Sequence, residues 1–574
     1  MACARCTPFS RTDSSKSTGK KSLTMKQVYL FMTAMFSALI MVPFLRQWAL
    51  ASRTVDLPDA RKVHRTPVPR IGGIAVYMAF LFALLVFMPM AREVRGVMAG
   101  GLILFVTGLV DDLYGISPGR KFMGQIFGTV IAMAVSGVYI HTLGNLTGSG
   151  ELVLPLWAGV PFTIVAVVGV INAINLIDGL DGLAGGVSVI ALAAFLALAY
   201  HDDNVTVMMI TSALLGALLG FLKYNFFPAR VFMGDTGSLT VGFVLAFTAI
   251  YLTQLPGARI EPAVPLVVLG LPIVDTVWVM GNRLRQRRSP FAPDMTHVHH
   301  KFLMLGLEHR YTVVIIYGIS LFWAVVATLC QEIPPGHLLA IYLVTCGISY
   351  LCLRHLLRSQ KRLPFVGRDS DAGIRESRLY RRLSGTVAGT TPFLALLMIV
   401  YLTLAVIAAC RMVNCIPQLM LVLAGGSLAL MYITRDPATP YVLIMFYAAS
   451  MVIAFVVTRF GGILTLDGIP LKEAGDLLIA LMLPLAAFRV VFRQHGEFYL
   501  EGVDHLLLGV TIFLALVVPQ LTDSLPLNGV FARGIMLFSV LKVLTVRGQR
   551  TTRTFSFAMV SVLLVIAVRG YLGL

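Results

Sequence analysis

An all-α, polytopic bundle of membrane-spanning helices is the fold that this sequence predicts, and three observations predict it. The 574-residue chain is 57% hydrophobic and 13% charged, about half the charged share of an ordinary soluble domain. Its apolar residues gather in runs close to the roughly 20 that a helix needs to cross a bilayer. Its Lys and Arg residues fall on alternate loops, the pattern that keeps basic loops on the cytoplasmic side. The even apolar runs show none of the alternation that barrel strands require.

Eleven spans are expected in a front region, near 27–45, 71–90, 97–110, 121–140, 155–172, 183–200, 206–222, 237–254, 263–281, 312–330 and 336–353. Seven more are expected near 393–411, 417–433, 440–458, 475–489, 504–521, 530–546 and 555–571. With the first span running outside to inside, the loops 46–70, 111–121, 173–182, 223–236, 282–311 and 354–392 carry 25 Lys and Arg, and the opposite set carries three. The net charge of +18 therefore orients the chain and favours anionic lipid headgroups rather than nucleic acid. The basic tail before the first span opposes this topology: either it is tolerated outside or the chain starts at Met25. A cleaved leader ending at Ala51 is the third option, but it puts the basic 53–70 loop outside.

The resulting plan is a tail (1–26), a front region (27–354), a basic cytoplasmic linker (355–392) and a rear multi-span region (393–574) to which the sequence assigns no role. No repeat relates front and rear, so the inverted halves of many transporters are missing. The seven cysteines are scattered and suggest neither a disulfide framework nor a zinc site.

Four polar stretches interrupt the front region, and all fall on the basic side. "GLVDDLYGISPGRKFMGQ" ends the third span; "INAINLIDGLDGLAGG" joins the fifth and sixth. "NFFPARVFMGDTGSL" joins the seventh and eighth, and "RSPFAPDMTHVHHKFLMLGLEHR" the ninth and tenth. Adjacent Asp111 and Asp112 repel each other unless a cation intervenes, and Arg120 and Lys121 follow in the same loop to hold phosphate oxygens. Asn172, Asn175, Asp178 and Asp181 recur at three-residue spacing, one helix face, until Gly179 and Gly182 turn the chain. Amides and carboxylates can read a base edge and ribose hydroxyls, or simply make turns and caps. Asp235, between glycines with Thr236 and Ser238 close by, suits a magnesium–pyrophosphate complex, or else it or Ser238 caps the next helix. His297, His299 and His300, with Lys301 and Arg310, form a cationic or hydrogen-bonding patch whose spacing is wrong for zinc. Together these are the parts for phosphoryl transfer from a nucleotide, where positioning and charge neutralisation do most of the chemistry.

In this order, and with "RKVHRTPVPRIGG" at 61–73, the motifs resemble those of the polyprenyl-phosphate N-acetylhexosamine-1-phosphate transferases. The likeness covers about 27–354 and makes that region the transferase domain. It implies a Mg2+-dependent transfer of sugar-1-phosphate from a UDP-sugar to undecaprenyl phosphate, releasing UMP at the cytoplasmic face of the inner membrane; Mn2+ is the alternative ion. It puts the metal on Asp235, with Asp112 as a further ligand, and one of Asp111 and Asp112 on the lipid phosphate. It puts the nucleoside on Asn172, Asn175, Asp178 and Asp181, with Phe232 stacking on uracil, and the diphosphate near Lys121, His297, His299 and His300. Gly115 departs from the pattern, where many members carry a charge three positions after the aspartate pair. "HVHHKFLMLGLEHR" is similar to the N-acetylglucosamine branch, so UDP-N-acetylglucosamine is the expected donor, with another UDP-N-acetylhexosamine or the UDP-muramyl-pentapeptide as alternatives. A homodimer stays open. A transporter is the competing class; it predicts ionisable residues at mid-span instead of at one face.

Overall fold

Residues 12–51, 68–289, 296–331, 333–359 and 378–408 are described in the computed structural model, together with 465–466, 469–491 and shorter pieces between 420 and 568. The tail to residue 11, positions 52–67 of the first loop, residues 360–377 of the linker and the expected span near 504–521 lie outside them, as does most of those near 417–433, 440–458 and 530–546. The chain divides into two compact units, Met1–Lys361 and Arg362–Leu574.

In the first unit the helices are α1 (Thr12–Ala51), α2 (Gly72–Phe87), α3 (Arg92–Tyr114), α4 (Pro118–Ser136), α5 (Leu156–Ile177), α6 (Leu183–His201) and α7 (Val205–Asn225). They continue with α8 (Gly234–Gln254), α9 (Ala263–Val268), α10 (Gly270–Arg285), α11 (Val298–Met304), α12 (His309–Leu329) and α13 (Pro335–Arg358). Among the described residues, eight helices are long and apolar enough to cross a membrane: α1, α3, α5, α6, α7, α8, α12 and α13. The chain is a multi-pass, all-α membrane protein. The named strands among the described residues are one two-residue antiparallel pair, Thr465–Leu466 with Ile469–Pro470.

Burial sorts the spans into a centre and a rim. The apolar windows of α6 and α8 are 89% buried and that of α7 83%, whereas α3, α5 and α13 bury 33%, 39% and 17% of theirs. The central helices are apolar all round, as wrapped helices are; the rim keeps an apolar face for lipid, with Phe82, Val106, Phe127, Val165 and Leu351 exposed on it. α7 packs on α1, α2 and α6, and α8 packs on α2, α3 and α5. Small residues allow the closest approaches. A Cβ on Gly73 would lie 2.0 Å from the backbone nitrogen of Gly237, and one on Gly108 would lie 2.5 Å from Thr236 Cα. Both glycines press α2 and α3 against the first turn of α8.

Several boundaries differ from the hydropathy reading, three of them near the polar stretches or a proline. The expected span 263–281 is two helices, broken at Leu269. Pro272 has no N–H to give the carbonyl of Val268 and its ring crowds that carbonyl, so one continuous helix cannot form. α3 runs a turn further than expected and carries Asp111 and Asp112 as helical residues. α4 starts earlier, with Pro118 in its first turn, and ends at Gly137, whose φ of +74° gives the left-handed cap.

In the second unit, α14 (Arg378–Ala408) begins inside the segment expected as linker, and α15 (Leu471–Val491) packs against it. Arg533 grips Asp476 on α15 through two nitrogens, Nη2 at 2.6 Å from Oδ2, and reaches Thr458 Oγ1 at 3.2 Å. A forked guanidinium–carboxylate pair of this kind fixes geometry as well as charge.

Gly73→Ala is expected to lower thermal stability by about 1–3 kcal/mol, the cost of overpacking, while Gly169→Ala on α5, with nothing within 4 Å of the added Cβ, leaves it unchanged. Detergent-solubilised thermal unfolding of the two variants checks the contrast.

Candidate active site

The centre of the site is the N-terminus of α8. Residues 69–73 hold the strand-like approach to it: Phe232 N–H donates to the Pro69 carbonyl at 2.9 Å, Gly72 N–H to the Phe232 carbonyl at 2.9 Å and Gly73 N–H to the Met233 carbonyl at 2.8 Å. Gly234 then turns the chain at φ +69°, and a Cβ there would meet Asp112 Oδ2 at 2.7 Å. The first N–H groups of a helix have no partner within it, and here another helix supplies one. Asp112, in the last turn of α3, accepts from Asp235 N–H at 2.9 Å through Oδ1. Its Oδ2 accepts from Thr236 N–H at 2.8 Å and from the Thr236 hydroxyl at 2.6 Å. Neither Asp235 nor Ser238 is the cap. Asp112, expected as a metal ligand, has both oxygens on the helix end, so its geometry is that of an anchor.

Asp111 faces the other way. Its Oδ1 accepts from Ile116 N–H at 2.9 Å, and Lys121 Nζ lies 3.0 Å from its Oδ2 and 2.7 Å from Asp235 Oδ1. One ammonium thus bridges two carboxylates from different helices. The Asn175 amide donates to Asp235 in a short hydrogen bond and to Ser238 Oγ at 2.8 Å. Asn172 pairs one turn deeper, donating to Gln125 Oε1 at 2.7 Å and to the Val168 carbonyl at 2.8 Å.

Asp178 ends α5 and Gly182, at φ +80°, opens α6, so the helical face ends where the glycines predict. Burial, then the charges of Asp235, Asp112 and Asp181, push the Asp178 carboxyl up to about 7, with Arg70 pulling the other way. Asp181 Oδ2 accepts from Ala229 N–H at 2.9 Å, tying its loop to the one that leads into α8. Asn225 reinforces the tie, accepting from Gly182 N–H at 3.0 Å and donating to the Val231 carbonyl at 2.9 Å.

The histidines come to the same place. His299 is buried and lies where a Cβ on Gly179 would be 2.4 Å from its Nε2, against the Asp178 loop. Burial, then neighbouring His300, pulls its pKa down to about 3, so it is neutral at pH 7 and offers hydrogen bonds, not the positive charge also expected of this patch. The His300 ring is 4.2 Å from it. His297 is fixed at 2.8 Å from Asp275 Oδ2.

Asp275, Tyr350 and Asn225 are residues that sequence reasoning misses. A lone carboxylate in "GLPIVDTVWVM" was the available signal, since an ionisable group inside an apolar span is costly. Tyr350 and Asn225 look like ordinary residues near span ends.

Asp111 and Asp235, from α3 and α8, offer the one or two carboxylates that Mg2+ takes, its shell being completed by phosphate and water. The shared Lys121 marks Asp235 and Asp111 as oxygens that already hold a cation between them.

The family description glycosyl transferase family 4 matches residues 94–253, which contain Asp111, Asp112, Asp178, Asp181 and Asp235. The chain is 34% identical over 308 residues to the probable undecaprenyl-phosphate N-acetylglucosaminyl 1-phosphate transferase of Bacillus subtilis, covering 53% of this chain and 85% of that protein. It is 30% identical over 345 residues to the undecaprenyl-phosphate alpha-N-acetylglucosaminyl 1-phosphate transferase of Yersinia pestis, 59% of this chain and 93% of the relative. To the decaprenyl-phosphate N-acetylglucosaminephosphotransferase of Mycobacterium leprae it is 34% identical over 298 residues, 47% and 75% of the two chains.

The raised Asp178 carboxyl has a consequence for stability. The folded chain keeps this proton up to about 7 while an ordinary aspartate loses it near 3.8, so the fold binds more protons than the unfolded chain between those values. Stability contributed at this site therefore falls as pH rises through that window. The advantage of Asp178→Asn over the unsubstituted protein is expected to grow by at most about 1.4 kcal/mol per pH unit across it and to level off above. Unfolding midpoints from pH 4 to pH 8 give the slope.

Proposed function

The chain belongs to glycosyl transferase family 4, in its N-acetylglucosamine-1-phosphate branch, and from that premise we propose that it transfers N-acetylglucosamine-1-phosphate from UDP-N-acetylglucosamine to undecaprenyl phosphate. The reaction runs at the cytoplasmic face of the inner membrane and begins a lipid-linked glycan. One observation carries the reading: carboxylates, amides, an ammonium and histidines from α3, α4, α5, α8 and the α10–α12 segment meet at one end of the bundle, around the N-terminus of α8. A transporter needs such groups along a mid-span path; these sit in the last turns of α3 and α5 and the first turns of α4 and α8.

An oxygen of the lipid phosphate attacks the phosphorus that bears the sugar, a new P–O bond forms, and the bond from that phosphorus to the bridging oxygen breaks. UMP leaves with the bridging oxygen and the lipid carries a sugar diphosphate. The lipid phosphate has a second pKa of about 6, so at neutral pH it is largely a dianion and needs charge shielding more than a base. Lys121 supplies a positive charge between Asp111 and Asp235. Asp112 keeps α8 and its dipole aimed at the site, and Asn175 fixes the orientation of Asp235. Asp178, Asp181 and Phe232 are the nucleoside contacts, and neutral His299 with His297 and His300 gives hydrogen bonds to the donor diphosphate. Asp235 and Asp111 are the residues that would hold Mg2+, whose part when bound is to neutralise the diphosphate.

The full chain in lipid nanodiscs, given radiolabelled UDP-N-acetylglucosamine and undecaprenyl phosphate, is expected to release UMP, to label the lipid, and to stop in EDTA until Mg2+ is added. It is also expected to exchange labelled UMP into UDP-N-acetylglucosamine, which a transporter does not do. Asp235→Ala is expected to cost about 10²–10³ in kcat, more than Asp111→Asn; the opposite order would make Asp111, and not charge neutralisation at Asp235, the main source of the rate.

A further inference from the structure

One buried carboxylate has no part in the chemistry above. Asp275 on α10 is 2% exposed, and three donors from two other segments close on it. Oδ2 lies 2.8 Å from His297 Nδ1, and Oδ1 accepts from Val298 N–H at 3.0 Å. The Tyr350 hydroxyl of α13 donates to Oδ1 in a short hydrogen bond. A carboxylate at such depth is costly unless fully paired. A purely structural clamp between α10, α11 and α13 needs no charge.

What the charge does is specify the histidine. A carboxylate only accepts, so the His297 nitrogen that faces it, Nδ1, carries the proton. Nε2 is then on the opposite edge of the ring, where only the imidazolium, the form that a facing carboxylate favours, has a second N–H to give to an anion. The Val298 contact fixes the backbone next to the ring, and the His299 ring lies parallel to that of His297 at 5.9 Å, tilted by 7°. The Trp278 ring stacks on Tyr350 at 4.8 Å, holding the hydroxyl where Asp275 needs it. Charge and direction of His297 are therefore both set from outside the other carboxylates of the site.

We propose that Asp275 is a positioning residue for the transfer reaction, holding His297 as an imidazolium whose Nε2–H is presented to the donor diphosphate, and that Tyr350 completes this holder. The inference rests on the reading that the histidine segment contacts the donor.

The test is a double-mutant cycle on UMP release by the full chain. In Asp275→Asn the carboxamide oxygen still accepts from Val298, while its NH2 group turns towards Nδ1 and the imidazolium loses the carboxylate that supports its charge. It is expected to lower kcat about 10²-fold, with the KM for UDP-N-acetylglucosamine moving less than about threefold. In a His297→Gln background the same substitution is expected to cost almost nothing more, because its target is gone. Losses that multiply, or a change in thermal stability with kcat intact, overturn the proposal by making Asp275 structural. Should Asp275→Asn fail to fold, Tyr350→Phe takes its place, with a loss of about three- to fivefold in kcat that also vanishes beside His297→Gln. If His297→Gln alone turns over at the normal rate, the donor contact of the histidine segment fails and Asp275 has nothing to position. If the unsubstituted chain releases no UMP, the transferase reading itself fails.

Discussion

The architecture depends on one carboxylate closing the end of another helix. Asp112 accepts three hydrogen bonds from Asp235 and Thr236, each charge-assisted and so worth about 1.5–3 kcal/mol. That interaction sets the height and rotation of α8 relative to α3, and with them the position of Asp235. Gly73, Gly108 and Gly234 have no side chain because the backbones must come this close. A longer side chain at any of them would separate the anchor from its helix end and leave two carboxylates, Asp112 and Asp235, without their partners.

Neutrality at the site is managed locally. Asp111, Asp112, Asp178, Asp181 and Asp235 lie close together, yet each has a distinct solution. Asp112 has a helix end, Asp111 and Asp235 share Lys121, Asp181 takes a backbone N–H, and Asp178 holds its proton more tightly. Like charges this near destabilise a fold unless their environments differ, and the differences leave Asp235 flanked by an ammonium and an amide where the chemistry needs an oriented oxygen.

Much of this was legible beforehand, for identifiable reasons. Spans follow from apolar length, and all eleven front runs fall on helices, because hydropathy reports the solvent a segment meets. The motif residues Asp111, Lys121, Asn175, Asp178, Asp235 and His299 do come together, since polar stretches at one membrane face share a small area. What sequence could not give was direction. Nothing in "VDD" says that the first aspartate turns to Lys121 and the second to α8, because that depends on where α8 lies in space. Nor does hydropathy register Pro272 as a helix break, since proline counts there only through its polarity. Asp275 escapes a sequence reading because its three donors come from residues 22, 23 and 75 positions away, with no local pattern to mark them.

The anchor is also a matter of timing. Asp112 and the N–H groups it accepts are 123 residues apart. At 5–20 residues per second of synthesis, about 6 to 25 seconds separate the emergence of the acceptor from that of its donors. Through that interval Asp111 already has Ile116 and Lys121 beside it in the chain, while Asp112 waits for the donors that only α8 brings. The ribosome therefore delivers this site as an assembly order, in which α8 locks the earlier-made α3.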